Sequence, residues 1–336
     1  MIINNNLQYY KQMKKTYLFI LLATLLLSTH SVKSQQLPCT ADSIQSWLGF
    51  LASDAMKGRA NGTEEIETVA EWLSMMYKQY GLQDISGLTN YIQPYLLDNN
   101  DSFIHKNIIG SIQAKEEYAD TDFYVLLSAH FDHIGMNRYP VDGDSIYNGA
   151  DDNAAGVVAM LAIAKNLFDH KVLPESPIVF AAFSNEETGL RGSKYFCESG
   201  VLPIGKVKIN INFDMVSHTD EYGKNKFYIT GPGYSNFQDI VIEFNKDKAW
   251  EIVDVGTYAN MLYRLSDNYS FVLHANQSND CVPAHTIATS VALNSHIHKL
   301  YDEVEYVDFE NMNHLVDYLT QLVLYIARKD VEVKCN

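Results

Sequence analysis

Five side chains of the kinds that bind zinc stand in five separate polar segments of the sequence. Zinc accepts imidazole nitrogen and carboxylate oxygen as ligands. The candidate ligands are His130, Asp152, Glu187, Asp214 and His298. Five ligands are too many for one tetrahedral ion with an open position, but they suit two ions if Asp152 bridges them. Paired metals of this kind activate a water molecule that lies between them.

Two further acidic residues have candidate catalytic tasks. Glu186 precedes Glu187, and consecutive side chains just beyond a strand point in different directions. Glu187 can therefore bind metal while Glu186 acts as the general base toward the water. Asp132 follows His130 by two residues and could orient its imidazole. Each motif alone has a plainer interpretation, because an Asp-Asp-Asn run is typical of a helix N-cap and paired glutamates favour a helix start.

Strand patterns bring these segments to one edge of a predicted sheet. Residues 123–127 and 177–183 are continuous apolar runs, which are typical of strands buried on both faces. Residues 207–213 are predicted as a third strand. A polar segment with a candidate ligand follows each strand. Because ligands bind beyond the carboxyl ends of strands in open α/β sheets, we expect one site with Asp152 at its centre.

Strands alternate with helical patterns along most of the chain. This alternation predicts an α/β fold with a mostly parallel central sheet flanked by helices on both faces. The sequence contains no internal repeat or Pro/Ser-rich linker, so we expect a single domain over residues 35–336. Residues 250–283 fit neither pattern well and are expected to form mainly long loops.

The first 34 residues have the pattern of a secretory signal peptide. Three lysines precede an apolar run over residues 17–27, and Val32-Lys33-Ser34 fits a cleavage site. The run is short for a membrane span, although an uncleaved anchor is the alternative. We therefore expect an exported protein, periplasmic or extracellular, with no stable membrane span in the mature chain.

The net charge of the chain limits the classes of molecule that it could bind. The chain of 336 residues has a net charge of −16, which makes nucleic acid an unsuitable partner because binding it depends on Lys and Arg.

Export permits disulfides, and four cysteines allow three pairings. Cys39 and Cys335 lie near the two ends of the mature chain, so we expect these two to be bonded. Cys197 is expected to be a buried apolar residue.

Taken together, the polar segments resemble those of metallopeptidase family 28, which contains secreted bacterial zinc aminopeptidases. The resemblance covers nearly the whole mature chain and is carried by five stretches. They are Ala129-His130-Phe131-Asp132-His133, Asn148-Gly149-Ala150-Asp151-Asp152-Asn153-Ala154-Ala155-Gly156, Asn185-Glu186-Glu187-Thr188-Gly189, Asn212-Phe213-Asp214-Met215 and His298-Lys299-Leu300-Tyr301-Asp302. Met56-Lys57-Gly58-Arg59 also resembles a common pattern near the N-terminus of the family.

The resemblance implies the fold of the zinc exopeptidases, also called phosphorylase/hydrolase-like, and a pair of zinc ions. It implies that His130 and Asp214 hold one zinc, that Glu187 and His298 hold the other, and that Asp152 bridges both. Glu186 would be the general base, and the peptide bond after Asp152 could be cis. The implied activity is that of an aminopeptidase, which removes N-terminal residues from peptides through a metal-bridged water.

The sequence departs from the family at several positions. Lys299 and Leu300 follow the final histidine where Thr-Pro is frequent, and Asn268 stands where the family usually has His. His296 is a rival to His298, which we prefer because Asp302 follows it by four residues. His133 and His285 are expected to be hydrogen-bonded structural or pocket residues.

Two other functions are compatible with this scaffold. A glutaminyl cyclase resembles the family in fold but uses one zinc and forms rings instead of hydrolysing peptides. The presence of His130, Asp214 and the Asp152-Asn153 pair favours the two-metal peptidase. A non-catalytic peptide-binding domain would be expected to lack a ligand or the base, and here all are present.

Overall fold

The computed structural model describes residues 41–119, 122–219, 222–290 and 296–336. The predicted signal peptide and Cys39 lie outside the described residues, so those expectations stay predictions. Within the described part of the chain, none of the helices combines the length and apolar character needed to cross a bilayer.

The described elements are eleven strands and eight α-helices, numbered here in chain order. The strands are β1 Gln83–Asp84, β2 Ile92–Tyr95, β3 His105–Ile112, β4 Tyr124–His130, β5 Met136–Val141, β6 Asp144–Ile146, β7 Ile178–Phe183, β8 Val207–Phe213, β9 Lys226–Ile229, β10 Glu251–Ile252 and β11 Ala284–Ala288. The helices are α1 Ala41–Leu51, α2 Glu64–Gln79, α3 Gly156–Asp169, α4 Arg191–Ser199, α5 Phe237–Phe244, α6 Thr257–Leu262, α7 Asn268–Gln277 and α8 Phe309–Ile326.

Nine of these strands form one sheet with β4 near its centre. From edge to edge the order is β1, β3, β7, β4, β8, β11, β9 and β10, and β2 also pairs with β3. The four central strands β7, β4, β8 and β11 are parallel. The strands β3 and β9 run antiparallel to their central neighbours. The predicted parallel sheet is thus confirmed at its centre, and the strands that flank this centre run antiparallel to it.

Alternating side chains of the central strands give the sheet two apolar faces. Val125 and Leu127 belong to a core cluster that includes buried residues of α1, α2, α3 and α8. Leu126, between them, packs in a second cluster with Phe196 of α4 and Phe271 of α7. Helices therefore cover both faces, as the sequence predicts, because each face must remove its apolar area from water.

The prediction of long loops over residues 250–283 is wrong. This stretch contains the short strand β10 and the helices α6 and α7. The helix α7 shows a weak apolar pattern because Phe271 and Ala275 are its only buried apolar residues. Packing against α4 stabilises α7, and that contact is not visible in the local sequence.

The cysteine pairing also differs from the prediction. Cys335 is bonded to Cys281, so the predicted pairing with Cys39 is wrong. Closeness to the chain ends is a poor guide, because the C-terminal segment runs beside residues 235–236 and the loop before β11. The backbone N–H of Asn236 donates to the carbonyl of Lys334 there, at 3.0 Å. Cys197 is free and buried, as expected.

Candidate active site

Three parallel strands deliver the predicted site residues to one edge of the sheet. His130 is the last residue of β4, Asp214 directly follows β8, and Glu186 lies three residues beyond β7. Because these strands are parallel neighbours, their carboxyl ends meet. The predicted convergence of these side chains on one site is therefore found in the structure.

Asp152 lies between two groups of metal-competent atoms. Its Oδ1 is 3.4 Å from Nε2 of His130, which is 3.7 Å from Oδ1 of Asp214. Its Oδ2 is 3.4 Å from Nε2 of His298, which is 2.9 Å from Oε2 of Glu187. One carboxylate thus presents an oxygen to each group, which is the arrangement that a bridging ligand requires.

The backbone around Asp152 is held from two directions. Asp302 accepts hydrogen bonds from the backbone N–H groups of Asp151 and Asp152, at 2.8 and 3.0 Å. Asn153 donates to the carbonyl of Phe213, at 2.9 Å, and so ties this loop to the end of β8 beside Asp214. The bond between Asp152 and Asn153 is cis, as the resemblance implies. These contacts fix the carboxylate of Asp152 through its backbone.

Two histidines contact the carboxylate of Glu187 at hydrogen-bond distance. His133 Nδ1 lies 2.9 Å from Oε1 of Glu187, and His298 Nε2 lies 2.9 Å from Oε2. Burial of Glu187 opposes ionisation, but the hydrogen bonds from His133 and His298 outweigh it and lower its pKa. The carboxylate is therefore anionic, as a metal ligand must be.

Glu186 lines the same cavity without belonging to either group around Asp152. Burial raises its pKa well above its usual value, and the carboxylates of Asp267, Glu187 and Asp214 add to this effect, whereas His130 opposes it. A carboxylate with a raised proton affinity can accept and return a proton near neutral pH. These properties fit the predicted general base.

Asp132 contacts His130 mainly through its backbone. Its carbonyl oxygen is 3.2 Å from Nδ1 of His130, and its carboxylate is 3.6 Å away. The carboxylate instead accepts the backbone N–H groups of Glu186 and Glu187, at 3.2 and 3.3 Å. Asn61 donates to it as well, at 2.6 Å. Asp132 therefore positions the Glu186-Glu187 segment in addition to lying against His130.

Arg59 belongs to the Met56-Lys57-Gly58-Arg59 pattern noted in the sequence, but the sequence assigns it no role. Its guanidinium is fully buried and donates to the carbonyls of Leu51, Phe131, Asn148 and Gly149. It thereby joins the segment after His130 to the segment before Asp152. Burial lowers its pKa to about 10, and the attraction of Asp302, Asp152, Asp132 and Glu187 opposes this effect. Nothing in a Lys-Gly-Arg loop indicates such a buried cation.

The structure places His298 among the candidate ligands and His296 and His285 outside them, as the sequence predicts. His296 directs Nδ1 to the carbonyl of Tyr301, at 2.7 Å, and packs its ring against His218, with the ring centroids 4.4 Å apart. His298, not His296, lies among the candidate ligands. His285 is buried between Ser235 and Thr230. Asn268, which replaces the usual histidine, donates to the carbonyl of Tyr263 at 3.1 Å.

The model of peptidase family M28 matches residues 107–323. The chain belongs to peptidase family M28. The matched part contains every predicted ligand, the predicted base and all four central strands. The matched residues are preceded by the helices α1 and α2 and by Arg59.

The curated proteins that this chain resembles are distant from it in sequence. A probable zinc metalloprotease of Pyrenophora teres f. teres is 27% identical over 185 residues, which is 53% of this chain and 39% of that protein. The chain thus spans about two fifths of that relative's length. Leucine aminopeptidase 1 of Trichophyton equinum is 24% identical and aligns with 81% of this chain and 73% of the relative.

Solved structures bear out the fold. A zinc aminopeptidase of Bacillus subtilis superposes with a TM-score of 0.66 at 16% identity, covering 89% of this chain and 98% of that one. At this identity the likeness concerns the fold, an α/β sheet with helices on both faces.

The residues present in this M28 chain fit metal ions of the zinc type. Asp152 Oδ2 and Asp214 Oδ1 are buried and have no hydrogen-bond partner among the described residues. Buried carboxylate oxygens without a partner are unfavourable unless a cation neutralises them. The donors are imidazole nitrogens and carboxylate oxygens, which zinc accepts. Bound zinc would satisfy these oxygens.

Proposed function

We propose that this chain is an exported aminopeptidase that uses two zinc ions. The observation that carries the proposal is the position of Asp152, whose Oδ1 faces His130 and whose Oδ2 faces His298, each at 3.4 Å. A single zinc would need only one of these oxygens. The predicted signal peptide and the Cys281–Cys335 disulfide support export, and residues 35–336 would then be the mature peptidase domain.

The proposed ligands divide into two sets that share one residue. His130 and Asp214 would hold one ion, Glu187 and His298 would hold the other, and Asp152 would be shared by both. Zinc bound in this way polarises a carbonyl oxygen and makes water more acidic. Ser266 donates to Oδ2 of Asp214 at 2.6 Å, which leaves the unpartnered Oδ1 for the metal.

Glu186 carries the proton in the proposed reaction. Its carboxylate takes a proton from the attacking water and returns it to the nitrogen of the departing amine, so that one C–N bond is broken and one C–O bond is formed. The raised pKa of Glu186 suits both halves of this transfer. Asp132 holds the backbone of Glu186 and thereby sets the direction of the side chain.

The cavity over the site favours an apolar N-terminal residue. It has a volume of about 500 Å³. Its walls beyond the metal-competent residues are largely apolar, and they include Leu190, Met215, Leu262, Leu265 and Ile297. A wall of this kind removes an aliphatic side chain from water. A preference for an aliphatic N-terminal residue agrees with the leucine aminopeptidase among the relatives.

A paired-substrate assay tests the proposal. Zinc-loaded protein should release leucine from Leu-Gly-Gly and leave acetyl-Leu-Gly-Gly intact, because acetylation removes the charged amine. The same protein should hydrolyse Gln-Gly-Gly without forming a ring. Equal cleavage of the acetylated peptide would contradict the aminopeptidase assignment. Cyclisation of N-terminal glutamine without any hydrolysis would replace it with a glutaminyl cyclase.

A further inference from the structure

His133 lies beside the proposed metal site but lines no part of the cavity over it. Only 1% of the residue is exposed. Its Nδ1 is 2.9 Å from Oε1 of Glu187 and 3.7 Å from Oδ2 of Asp152. By distance alone, this nitrogen could be either a metal ligand or a hydrogen-bond donor.

The other ring nitrogen decides between these two roles. Nε2 of His133 is buried and has no hydrogen-bond partner in the described part of the chain. A proton on Nε2 would have no acceptor, and an unsatisfied buried donor costs about 1–3 kcal/mol. A proton on Nδ1 has an acceptor in Glu187. Of the two neutral tautomers, the geometry therefore favours the one with its proton on Nδ1, and a protonated nitrogen has no lone pair for a metal.

A comparison with His130 supports this assignment. A histidine that binds metal almost always donates its second ring N–H to a carbonyl or carboxylate. His130 has such a partner, since its Nδ1 lies 3.2 Å from the carbonyl of Asp132. His133 lacks one at Nε2. The two rings therefore have different tasks although both face the same group of carboxylates.

The backbone fixes the His133 ring in its place. Gly149 has φ +60°, and a Cβ there would lie 2.6 Å from Cδ2 of His133. The ring thus packs directly on the loop that carries Asp152. The backbone N–H of His133 donates to the carbonyl of Arg59, at 3.3 Å. With its ring and backbone both held, the side chain is a rigid donor.

We propose that His133 is a positioning residue that donates Nδ1–H to Oε1 of Glu187. The bond leaves Oε2 as the oxygen that faces His298, so that Glu187 would hold a metal ion through this one oxygen. This inference rests on the proposed metal site. It assigns His133 a task that neither the ligand set nor the general base includes.

Two variants test the proposal, because their amide side chains differ in length and their zinc affinities can be compared. In His133→Asn the amide nitrogen can occupy the position of Nδ1, whereas in His133→Gln it reaches toward Nε2, where no partner lies. Competition with a chelator measures the dissociation constant of each zinc. We expect His133→Gln to weaken one zinc by about 10–100-fold, the usual effect of losing a residue that orients a ligand. We expect His133→Asn to stay within a few-fold of wild type.

His133→Phe, which keeps a ring but has no donor, should match His133→Gln. Far-UV circular dichroism establishes that each variant is folded before titration. Equal loss in His133→Asn and His133→Gln would overturn the proposal and make His133 a ligand. Wild-type zinc affinity in His133→Gln would also overturn the proposal, because His133 would then have no role in zinc binding. A wild-type protein that binds zinc but hydrolyses no peptide would contradict the proposed function and leave this inference intact.

Discussion

The carboxylate of Asp132 accepts the backbone N–H of Glu187, with 3.3 Å between Oδ2 and the nitrogen. Asp132 follows β4 and Glu187 follows β7, so this bond joins the ends of two parallel strands. The other carboxylate oxygen accepts the N–H of Glu186 at 3.2 Å. The proposed base and one proposed ligand are therefore placed by the same residue.

Replacing Asp132 by asparagine should disturb the positions of both Glu186 and Glu187. An asparagine amide offers one oxygen, so its NH₂ group must face either the N–H of Glu187 or that of Glu186. We expect Asp132→Asn to fold and to lose about 10–100-fold in zinc affinity or in kcat/KM. Asp122→Asn removes the same charge from an exposed position and serves as the control. Wild-type values of both quantities in Asp132→Asn would show that the backbone bonds are dispensable.

Arg59 should be essential to stability. Its guanidinium makes four hydrogen bonds to backbone carbonyls in a fully buried position. Hydrogen bonds to charged groups contribute about 1.5–3 kcal/mol each, and the four are not additive. We expect Arg59→Met to lower the free energy of unfolding by about 3 kcal/mol or more, measured by urea denaturation. Arg138→Met, at an exposed position, should change it by less than about 0.5 kcal/mol.

The disulfide gives a covalent prediction. Peptide mapping without reduction should recover Cys281 bonded to Cys335. Because this bond closes a loop across 54 residues, Cys335→Ser should lower the free energy of unfolding by about 2–4 kcal/mol. Recovery of a peptide pair joining Cys39 to Cys335 would contradict the pairing.

His285 should make stability depend on pH. The ring lies between the carbonyl of Thr230 and the hydroxyl of Ser235, and burial lowers its pKa from 6.5 to about 4. The unfolded chain therefore binds the proton first as the pH falls. The contribution of His285 to stability is complete above pH 6.5 and is lost progressively toward pH 4, with a total of about 3 kcal/mol.

Urea denaturation of metal-free protein between pH 7 and pH 4 measures this dependence. His285→Asn can keep the bond to Thr230 but cannot titrate, so its stability should fall less steeply with pH. Identical slopes for wild type and variant would show that another group causes the dependence.

The sequence predicts the site better than its surroundings. His130 and Asp214 are predictable because apolar strands precede them and the ends of parallel strands meet. Glu187 is recognisable in the same way. The hydrogen-bond donors to Asp132 are not predictable, because they are backbone N–H groups of a segment 54 and 55 residues away. Local patterns carry no information on such partners.

Other features escape the sequence for different physical reasons. The partner of Cys335 depends on where the chain end packs, and cysteine spacing leaves several pairings open. The helix α7 depends on its contact with α4. The tautomer of His133 depends on which of its nitrogens meets an acceptor. Each of these is a tertiary property that no periodicity records.

The turnover of Glu186→Gln at wild-type zinc content tests the central claim most directly. Glutamine keeps the size of the side chain but cannot take the proton, and all five proposed ligands remain. We predict two zinc equivalents in both proteins and a release of leucine from Leu-Gly-Gly that is about 10²–10⁴-fold slower in the variant. Glu187→Gln should lose zinc and activity together. Nearly full turnover by Glu186→Gln, or saturation of the wild type at one zinc equivalent, would contradict the account.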